Sequence, residues 1–241
     1  MTPKEVTPAW RPSVSIQGVV FDLDGTLTQP GAIDFARMRE RIGMKKPGSI
    51  LHWIDEHAGG HDEAEAMRAV VWEEEALALD RMALADHFEE LIETLMRRGE
   101  SLRTAICTRN SAEAIERFDG LLRGGGMPPA GELFEVLIAR DHHSEGLGRA
   151  LLNKPSPEPA HEAVRVWGMG ERFPLLEVHE REAARYPELL FVGDAYDDYL
   201  SGRRAGFDAV VLDHDGQWKE QGTVAVSESL LGVARGLAST A

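Results

Sequence analysis

The stretch GVVFDLDGTLT, residues 18–28, constrains the fold more than any other part of the chain. Its first four residues complete a predicted strand over residues 14–21, which is rich in Val and Ile, as is typical of a buried strand in a parallel sheet. The strand ends at Asp22 and Asp24, two like charges separated by one residue. Because crowded carboxylates repel each other, this pair needs a positive charge beside it. The stretch therefore predicts a parallel sheet with a charged site at the end of its first strand.

Composition narrows the classes of function. With 241 residues, 43% of them hydrophobic, the chain can bury one sizeable core and a small accessory domain. Its 26 Lys and Arg against 41 Asp and Glu give a net charge of -15, whose field repels nucleic acids and anionic membranes. A local cation or a bound metal can still admit a small anionic substrate. No apolar run approaches the roughly 20 residues of a membrane span.

Cysteine usage and the N-terminal residues bear on the compartment. A single cysteine excludes an internal disulfide framework and a zinc site built from cysteines. The first residues lack the apolar segment of a secretory signal. We expect a protein of the cytoplasm or of another reducing intracellular compartment.

Strands and helices alternate in the second half of the chain. Hydrophobic runs and helical periodicity predict strands over residues 102–108, 133–139, 189–192 and 209–212 and helices over residues 111–123, 157–167, 197–205 and 227–237. This alternation predicts right-handed crossovers and an α/β fold with a mainly parallel sheet flanked by helices. Functional side chains in such sheets lie at the carboxyl ends of the strands.

A long segment without strand patterns separates the first strand from the second. Helical spacing predicts helices over residues 33–42, 50–57 and 61–98, the last broken near Leu84. We therefore predict two domains, a core of residues 1–28 and 101–241 and an inserted helical domain of residues 29–100.

Acids and a hydroxyl follow the predicted strands. Asp22 and Asp24 follow the first strand, Thr108 ends the second, and Asp194 follows the strand at 189–192. Because these ends share one edge of a parallel sheet, we expect the side chains to lie in one cleft. Oxygen ligands are those that Mg²⁺ prefers, so the pattern predicts a magnesium site.

The free groups of this cleft suggest phosphoryl chemistry. Asp22 can attack phosphorus and form an aspartyl-phosphate, while Asp24 can protonate the leaving alkoxide and then deprotonate a water. Thr108 can bind a phosphoryl oxygen. Lys154, just before a predicted helix, is the candidate for the positive charge that phosphoryl transfer needs.

Four segments resemble, in order, the motifs of the haloacid dehalogenase-like (HAD) hydrolase superfamily: VVFDLDGTLT, AICTRN, NKPSPE and FVGDAYDDYLSGRRAG. The resemblance covers about residues 15–213. It implies a Rossmann-like core, dependence on Mg²⁺ and, most often, a phosphatase acting on small phosphomonoesters. The partner it implies is a small phosphorylated metabolite.

The same resemblance implies a metal site and a cap. The implied ligands are Asp22, the backbone carbonyl of Asp24, Asp194 and Asp198. The helices of residues 29–100 lie where the family inserts its C1-type cap. Closing such a cap excludes water from the cleft.

Residues next to the second and fourth motifs have alternative interpretations. Arg109 and Asn110, beside Thr108, are candidate substrate-binding residues. Arg109 faces either the cleft or solvent, and Asn110 either contacts substrate or, with Glu113, forms a capping box for the next helix. Asp197 either reaches a metal-bound water or caps its helix, and we favour the cap.

Three other functions compete with a phosphatase. A 2-haloacid dehalogenase needs neither a metal nor an acid two residues after its nucleophile, so Asp24 and Asp194 speak against it. A phosphomutase differs in how well its cap excludes water, which the sequence leaves open. A catalytically silent domain that binds a ligand is the alternative without an enzyme.

Overall fold

The computed structural model describes residues 10–46, 48, 50–179, 182–216, 218 and 225–239. The chain divides into two compact units. The smaller, inserted unit is Pro30–Ala83, and the larger unit is formed jointly by the segment that ends at Gln29 and the segment that begins at Leu84. The inserted unit thus ends at Ala83, whereas the sequence predicted an inserted domain reaching residue 100. The physical reason is that the helix before residue 100 packs on the C-terminal helix and is part of the larger unit.

The described strands of the larger unit are β1 (Gly18–Phe21), β2 (Arg103–Cys107), β3 (Val136–Ile138), β4 (His143–Ser144), β5 (Arg149–Ala150), β6 (Tyr186–Gly193), β7 (Phe207–Leu212) and β8 (Ala225–Ser227). Six of them form one sheet with the order β3-β2-β1-β6-β7-β8, in which all neighbouring strands are parallel. This confirms the predicted α/β fold. A separate antiparallel pair, β4 and β5, lies outside this sheet.

Both faces of the sheet are covered by helices. The helices of this unit are α4 (Phe88–Arg98), α5 (Ala112–Gly124), α6 (Ala130–Leu133), α7 (Glu158–Val166), α8 (Tyr196–Arg204) and α9 (Leu230–Ala238). On one face Val20 and Phe191 belong to a core that includes Ala163 of α7. On the other face Phe21 packs edge-on against Phe134. Burial on both faces explains why the central strands read as continuous apolar runs.

Helix α4 is tied to the larger unit by a buried charge. The guanidinium of Arg98 is 8% exposed and donates to the carbonyls of Leu237, at 2.8 Å, and Ile16, at 2.6 Å. Because a buried cation without such acceptors would be costly, these bonds hold the end of α4 between α9 and the segment before β1.

The register of the central strands sets the position of the site. Phe21 of β1 pairs with Ile106 of β2 and with Val192 of β6. The three strands therefore end at the same level, and the residues that follow them emerge at one edge of the sheet. Asp22 keeps this register, since its N–H donates to the carbonyl of Val192 at 2.8 Å.

The inserted unit has its own small core. Its helices are α1 (Phe35–Ile42), α2 (Ile50–His57) and α3 (His61–Leu79). Met38 and Ile54 are almost completely buried there, at 1% and 0% exposed. The carboxylate of Glu74 is also buried and accepts charged contacts from Arg37, at 3.0 Å, and Arg41, at 2.9 Å.

The described helices include none that is both long and apolar enough to cross a lipid bilayer.

Candidate functional site

Three carboxylates meet at the carboxyl edge of the sheet. Asp22 follows β1, Asp194 follows β6 and Asp198 lies in the first turn of α8. Each offers one oxygen, and these oxygens all lie within 4.8 Å of one another. The level ends of β1 and β6 bring the first two together, and the turn from β6 into α8 supplies the third.

Lys154 binds this carboxylate cluster from the segment before α7. Its Nζ donates to Asp22 Oδ1 at 2.5 Å and to the carbonyl of Cys107 at 3.0 Å, and it lies 2.6 Å from Asp198 Oδ1. Burial by itself would lower the pKa of Lys154, but Asp198 and Asp22 raise it above its ordinary value. The ammonium is therefore a permanent positive charge at the cluster.

One ammonium does not balance three carboxylates, of which Asp22 and Asp198 are buried and Asp194 is partly buried. Burial, with the charge of Asp198 added, raises the pKa of Asp22 to about 7, although Lys154 opposes the shift. Burial and the charges of Asp22 and Asp198 likewise raise the pKa of Asp194 well above its usual range. Three neighbouring carboxylate oxygens with excess negative charge fit a hard divalent cation such as Mg²⁺.

Two glycines allow the carboxylates to approach the backbone. Gly25 has a φ of +78°, and a Cβ at this position would overlap the carboxylate of Asp194. A Cβ at Gly193 would overlap the side chain of Asp198. The absence of a side chain at these two positions is thus a steric requirement of the cluster.

Asp24 is a fourth carboxylate near this cluster, with hydrogen-bond partners of its own. Thr108 Oγ1 donates to Asp24 Oδ2 at 3.1 Å, and Asn110 Nδ2 lies 3.3 Å from both of its oxygens. Burial raises the pKa of Asp24, while the bonds from Asn110 and Thr108 oppose the shift. A carboxyl group held in this way and protonated at higher pH than usual suits proton transfer.

Thr108 and Asn110 are hydrogen-bonded to each other and to Asp24. The Thr108 hydroxyl, predicted to bind phosphate, accepts a bond from the Asn110 N–H at 2.9 Å while donating to Asp24. The capping-box prediction for Asn110 is wrong, because α5 begins after Ser111 and the Asn110 amide turns toward Asp24 instead.

An ion pair that sequence reasoning missed joins the second motif to the fourth. Arg109 Nη1 lies 2.5 Å from Asp197 Oδ2, so Asp197 is bound to Arg109. The helix cap that we favoured for Asp197 is wrong, because the capping bond of α8 comes from Asp198, whose Oδ2 accepts the N–H of Ala195 at 3.0 Å. The pairing joins residues 88 positions apart, which no local pattern could indicate.

Two residues after β7 also lie at this edge and were not predicted. His214 Nε2 is 2.6 Å from the carbonyl oxygen of Gly25. The neighbouring Asp213 is 5% exposed, and its Oδ2 has no hydrogen-bond partner among the described residues. The available signal was their position directly after a buried strand, the same rule that identified Asp22 and Asp194.

Comparison with known proteins agrees with this geometry. A profile described as haloacid dehalogenase-like hydrolase matches residues 16–206. An uncharacterised hydrolase of Saccharomyces cerevisiae is 30% identical over 204 residues, which cover 82% of this chain and 77% of the yeast protein. A phosphoglycolate phosphatase of Yersinia pseudotuberculosis is 26% identical, covering 82% of this chain and 81% of its own.

A solved structure shows the same fold. The crystal structure of a putative phosphoglycolate phosphatase from Lactobacillus plantarum superposes with a TM-score of 0.61 at 18% identity, covering 92% of this chain and 99% of that one. Its likeness concerns the fold alone. Since the family profile spans most of the chain and includes the strand ends that carry the acidic cluster, this protein belongs to the haloacid dehalogenase-like hydrolase family and is a hydrolase.

Proposed function

We propose that this hydrolase is a Mg²⁺-dependent phosphatase that cleaves a small phosphomonoester through an aspartyl-phosphate on Asp22. The observation that carries the proposal is the cluster of three carboxylate oxygens within 4.8 Å, two of them on buried side chains, with Lys154 bonded to Asp22 and Asp198. A phosphate ester needs positive charge around its oxygens and a nucleophile beside them. This cluster offers both when a divalent cation is bound.

The residues that would hold Mg²⁺ are Asp22, Asp194 and Asp198, with the Asp24 backbone carbonyl as the further ligand that the family resemblance implies. Bound there, the ion would neutralise phosphoryl oxygens and reduce their repulsion of the attacking carboxylate. Lys154 adds a fixed charge to the same place.

In the first step an oxygen of Asp22 attacks phosphorus, and the bond between phosphorus and the ester oxygen breaks. Asp24 gives its proton to the departing alkoxide, which leaves as an alcohol. The raised pKa of Asp24 favours the protonated form that this step requires.

In the second step the ionised Asp24 takes a proton from water, whose oxygen attacks the phosphorus of the aspartyl-phosphate. The bond from phosphorus to Asp22 breaks, which regenerates the carboxylate and releases inorganic phosphate. Thr108 and Asn110 hold Asp24 in place for both proton transfers.

The relatives support the class of substrate. Proteins named phosphoglycolate phosphatase match across most of the chain. The inserted unit, Pro30–Ala83, lies in the sequence where the family resemblance implies a cap, and we include this role in the proposal.

The test is hydrolysis of p-nitrophenyl phosphate, followed by a screen of phosphorylated metabolites, with Mg²⁺ and with EDTA. We expect turnover with Mg²⁺, none with EDTA, and none for Asp22→Asn. Asp141→Asn, which changes an exposed aspartate outside the site, is the matched control and keeps full activity.

Other products would contradict the proposal. Halide release from a 2-haloacid without Mg²⁺ would indicate a dehalogenase. An isomerised phosphate ester without inorganic phosphate would indicate a phosphomutase. No turnover of any compound in the screen would indicate a silent binding domain.

A further inference from the structure

The backbone after Asp22 makes a tight loop that carries Asp24. Thr28 closes this loop, since both its N–H and its hydroxyl donate to the carbonyl of Leu23, each at 3.0 Å. Gly25 stands at its centre, with the left-handed φ of +78° and the Asp194 carboxylate packed against its Cα. Any shift of Gly25 therefore moves Asp24 on one side and disturbs Asp194 on the other.

His214 is bonded to this loop from the opposite end of the sequence. Its Nε2 lies 2.6 Å from the carbonyl oxygen of Gly25, a residue 189 positions away. Because a carbonyl oxygen only accepts hydrogen bonds, Nε2 carries the proton and donates it. The bond fixes the orientation of the peptide group between Gly25 and Thr26, one residue beyond Asp24.

The segment that bears His214 is itself anchored. The N–H of Asp213 donates to the carbonyl of Ser227 on β8 at 2.9 Å, and the Oδ1 of Asp213 accepts the N–H of Trp218 at 3.2 Å. The Trp218 ring stacks on Tyr196, the first residue of α8, with 5.9 Å between centroids. His214 is thus linked to the helix that supplies Asp198 through the Asp213–Trp218 hydrogen bond and the contact of Trp218 with Tyr196.

We propose that His214 is a positioning residue, whose hydrogen bond to the Gly25 carbonyl holds the Asp24 loop against the Asp194 carboxylate. The inference rests on the proposed function, because it assigns His214 to the preparation of that metal and proton-transfer site. For this role His214 needs only a hydrogen-bond donor at the position of Nε2.

A pair of amide substitutions tests this requirement. The amide nitrogen of Gln occupies the position of His Nε2, whereas that of Asn lies one bond closer to the backbone, near the position of Nδ1. We expect His214→Gln to behave like the wild type. We expect His214→Asn and His214→Ala to bind Mg²⁺ about 10- to 100-fold more weakly, the usual effect of losing a residue that orients a metal ligand.

Two readouts do not depend on turnover. Mg²⁺ affinity is measured by calorimetry, and hydrogen exchange of the peptide covering residues 22–28 is followed by mass spectrometry in the metal-free protein. We expect faster exchange in this peptide for His214→Asn and wild-type exchange for His214→Gln. With p-nitrophenyl phosphate, we expect kcat to fall by about the same 10- to 100-fold for His214→Asn at nearly constant KM.

The control is His143→Ala, which removes another exposed histidine of the larger unit. It should leave every readout unchanged. Wild-type Mg²⁺ affinity and loop exchange in both His214→Asn and His214→Ala would overturn the inference, as would equal defects in His214→Gln and His214→Asn. If the proposed function were wrong while the inference on His214 held, the wild-type protein would bind Mg²⁺ but hydrolyse no phosphate ester, and the His214 variants would still differ in Mg²⁺ affinity and loop exchange.

Discussion

The ammonium of Lys154 and the carboxylate of Asp198 lie 2.6 Å apart with both side chains about 2% exposed. Buried ion pairs are costly to break from one side, because the remaining charge has neither water nor a partner. Lys154 also binds Asp22, so its removal leaves two buried carboxylates facing Asp194.

Lys154→Met therefore tests the electrostatics of the cluster. We expect the metal-free variant to lose about 3 kcal/mol of unfolding free energy, within the range for breaking a buried pair. Mg²⁺ should restore part of this loss while phosphatase activity stays absent. Urea denaturation with and without Mg²⁺ measures both effects, and a variant as stable as the wild type in EDTA would contradict the expectation.

Gly25→Ala tests the steric requirement beneath Asp194. A methyl group there overlaps the Asp194 carboxylate, so we expect Mg²⁺ binding and activity to fall at least about 10-fold. Gly126→Ala is the matched control, because Gly126 has a similar φ of +73° but open space around its Cα. In the control variant the alanine adopts the same left-handed backbone conformation, which costs about 1 kcal/mol, but its methyl group meets no neighbour, so the Mg²⁺ affinity should be unchanged. Equal Mg²⁺ affinities for the two variants would refute the steric argument.

Asp24→Asn tests the division of proton transfers. The leaving p-nitrophenolate needs no proton, so the first step should continue, whereas attack by water should slow by about 100-fold or more. We expect a burst of p-nitrophenolate close to one equivalent of enzyme, followed by slow turnover. Stopped-flow absorbance measures the burst, and intact-protein mass spectrometry detects the phosphorylated enzyme. A variant that turns over at the wild-type rate would remove Asp24 from the mechanism.

The raised pKa of Asp22 predicts how stability depends on pH without metal. Folding raises this pKa from 3.8 to about 7, so the group favours the folded state below about pH 4, and that contribution is lost as the pH rises through about 7. We expect Asp22→Asn in EDTA to gain stability over the wild type from about pH 4 to about pH 7. Urea denaturation at the two pH values measures the difference in unfolding free energy between the variant and the wild type. The same difference at both pH values would contradict the raised pKa of Asp22.

The ion pair between Arg109 and Asp197 predicts an effect on substrate binding. The Arg109 side chain is 34% exposed and is oriented by Asp197, so it can meet a substrate anion without first being ordered. We expect Arg109→Met to raise KM about 10-fold with a smaller change in kcat, and Asp197→Asn to raise KM less. Steady-state kinetics with the best metabolite of the screen gives both values. A change in kcat alone would place Arg109 in the chemical step instead.

Much of this protein was predictable because the signals are local. A continuous apolar run indicates a strand buried on both faces, and a charged residue directly after it marks the functional edge of the sheet. These two rules identified Asp22, Asp24, Thr108 and Asp194 before any contact was known. They did not detect β4 and β5, because segments of two residues carry no periodicity, or β8, which unlike β3 lies in no longer apolar run.

The sequence by itself determined which residues carry charge and which strands deliver them, because continuous apolar runs and the polar residues that follow them are local features of the chain. Only the tertiary structure decided which charges pair. Arg109 meets Asp197, Lys154 meets Asp22 and His214 meets Gly25 across separations of 88, 132 and 189 residues. Such pairs depend on strand register and on the course of loops, and both are set by packing of the whole core, because one residue of slippage would point every side chain of a strand to the other face.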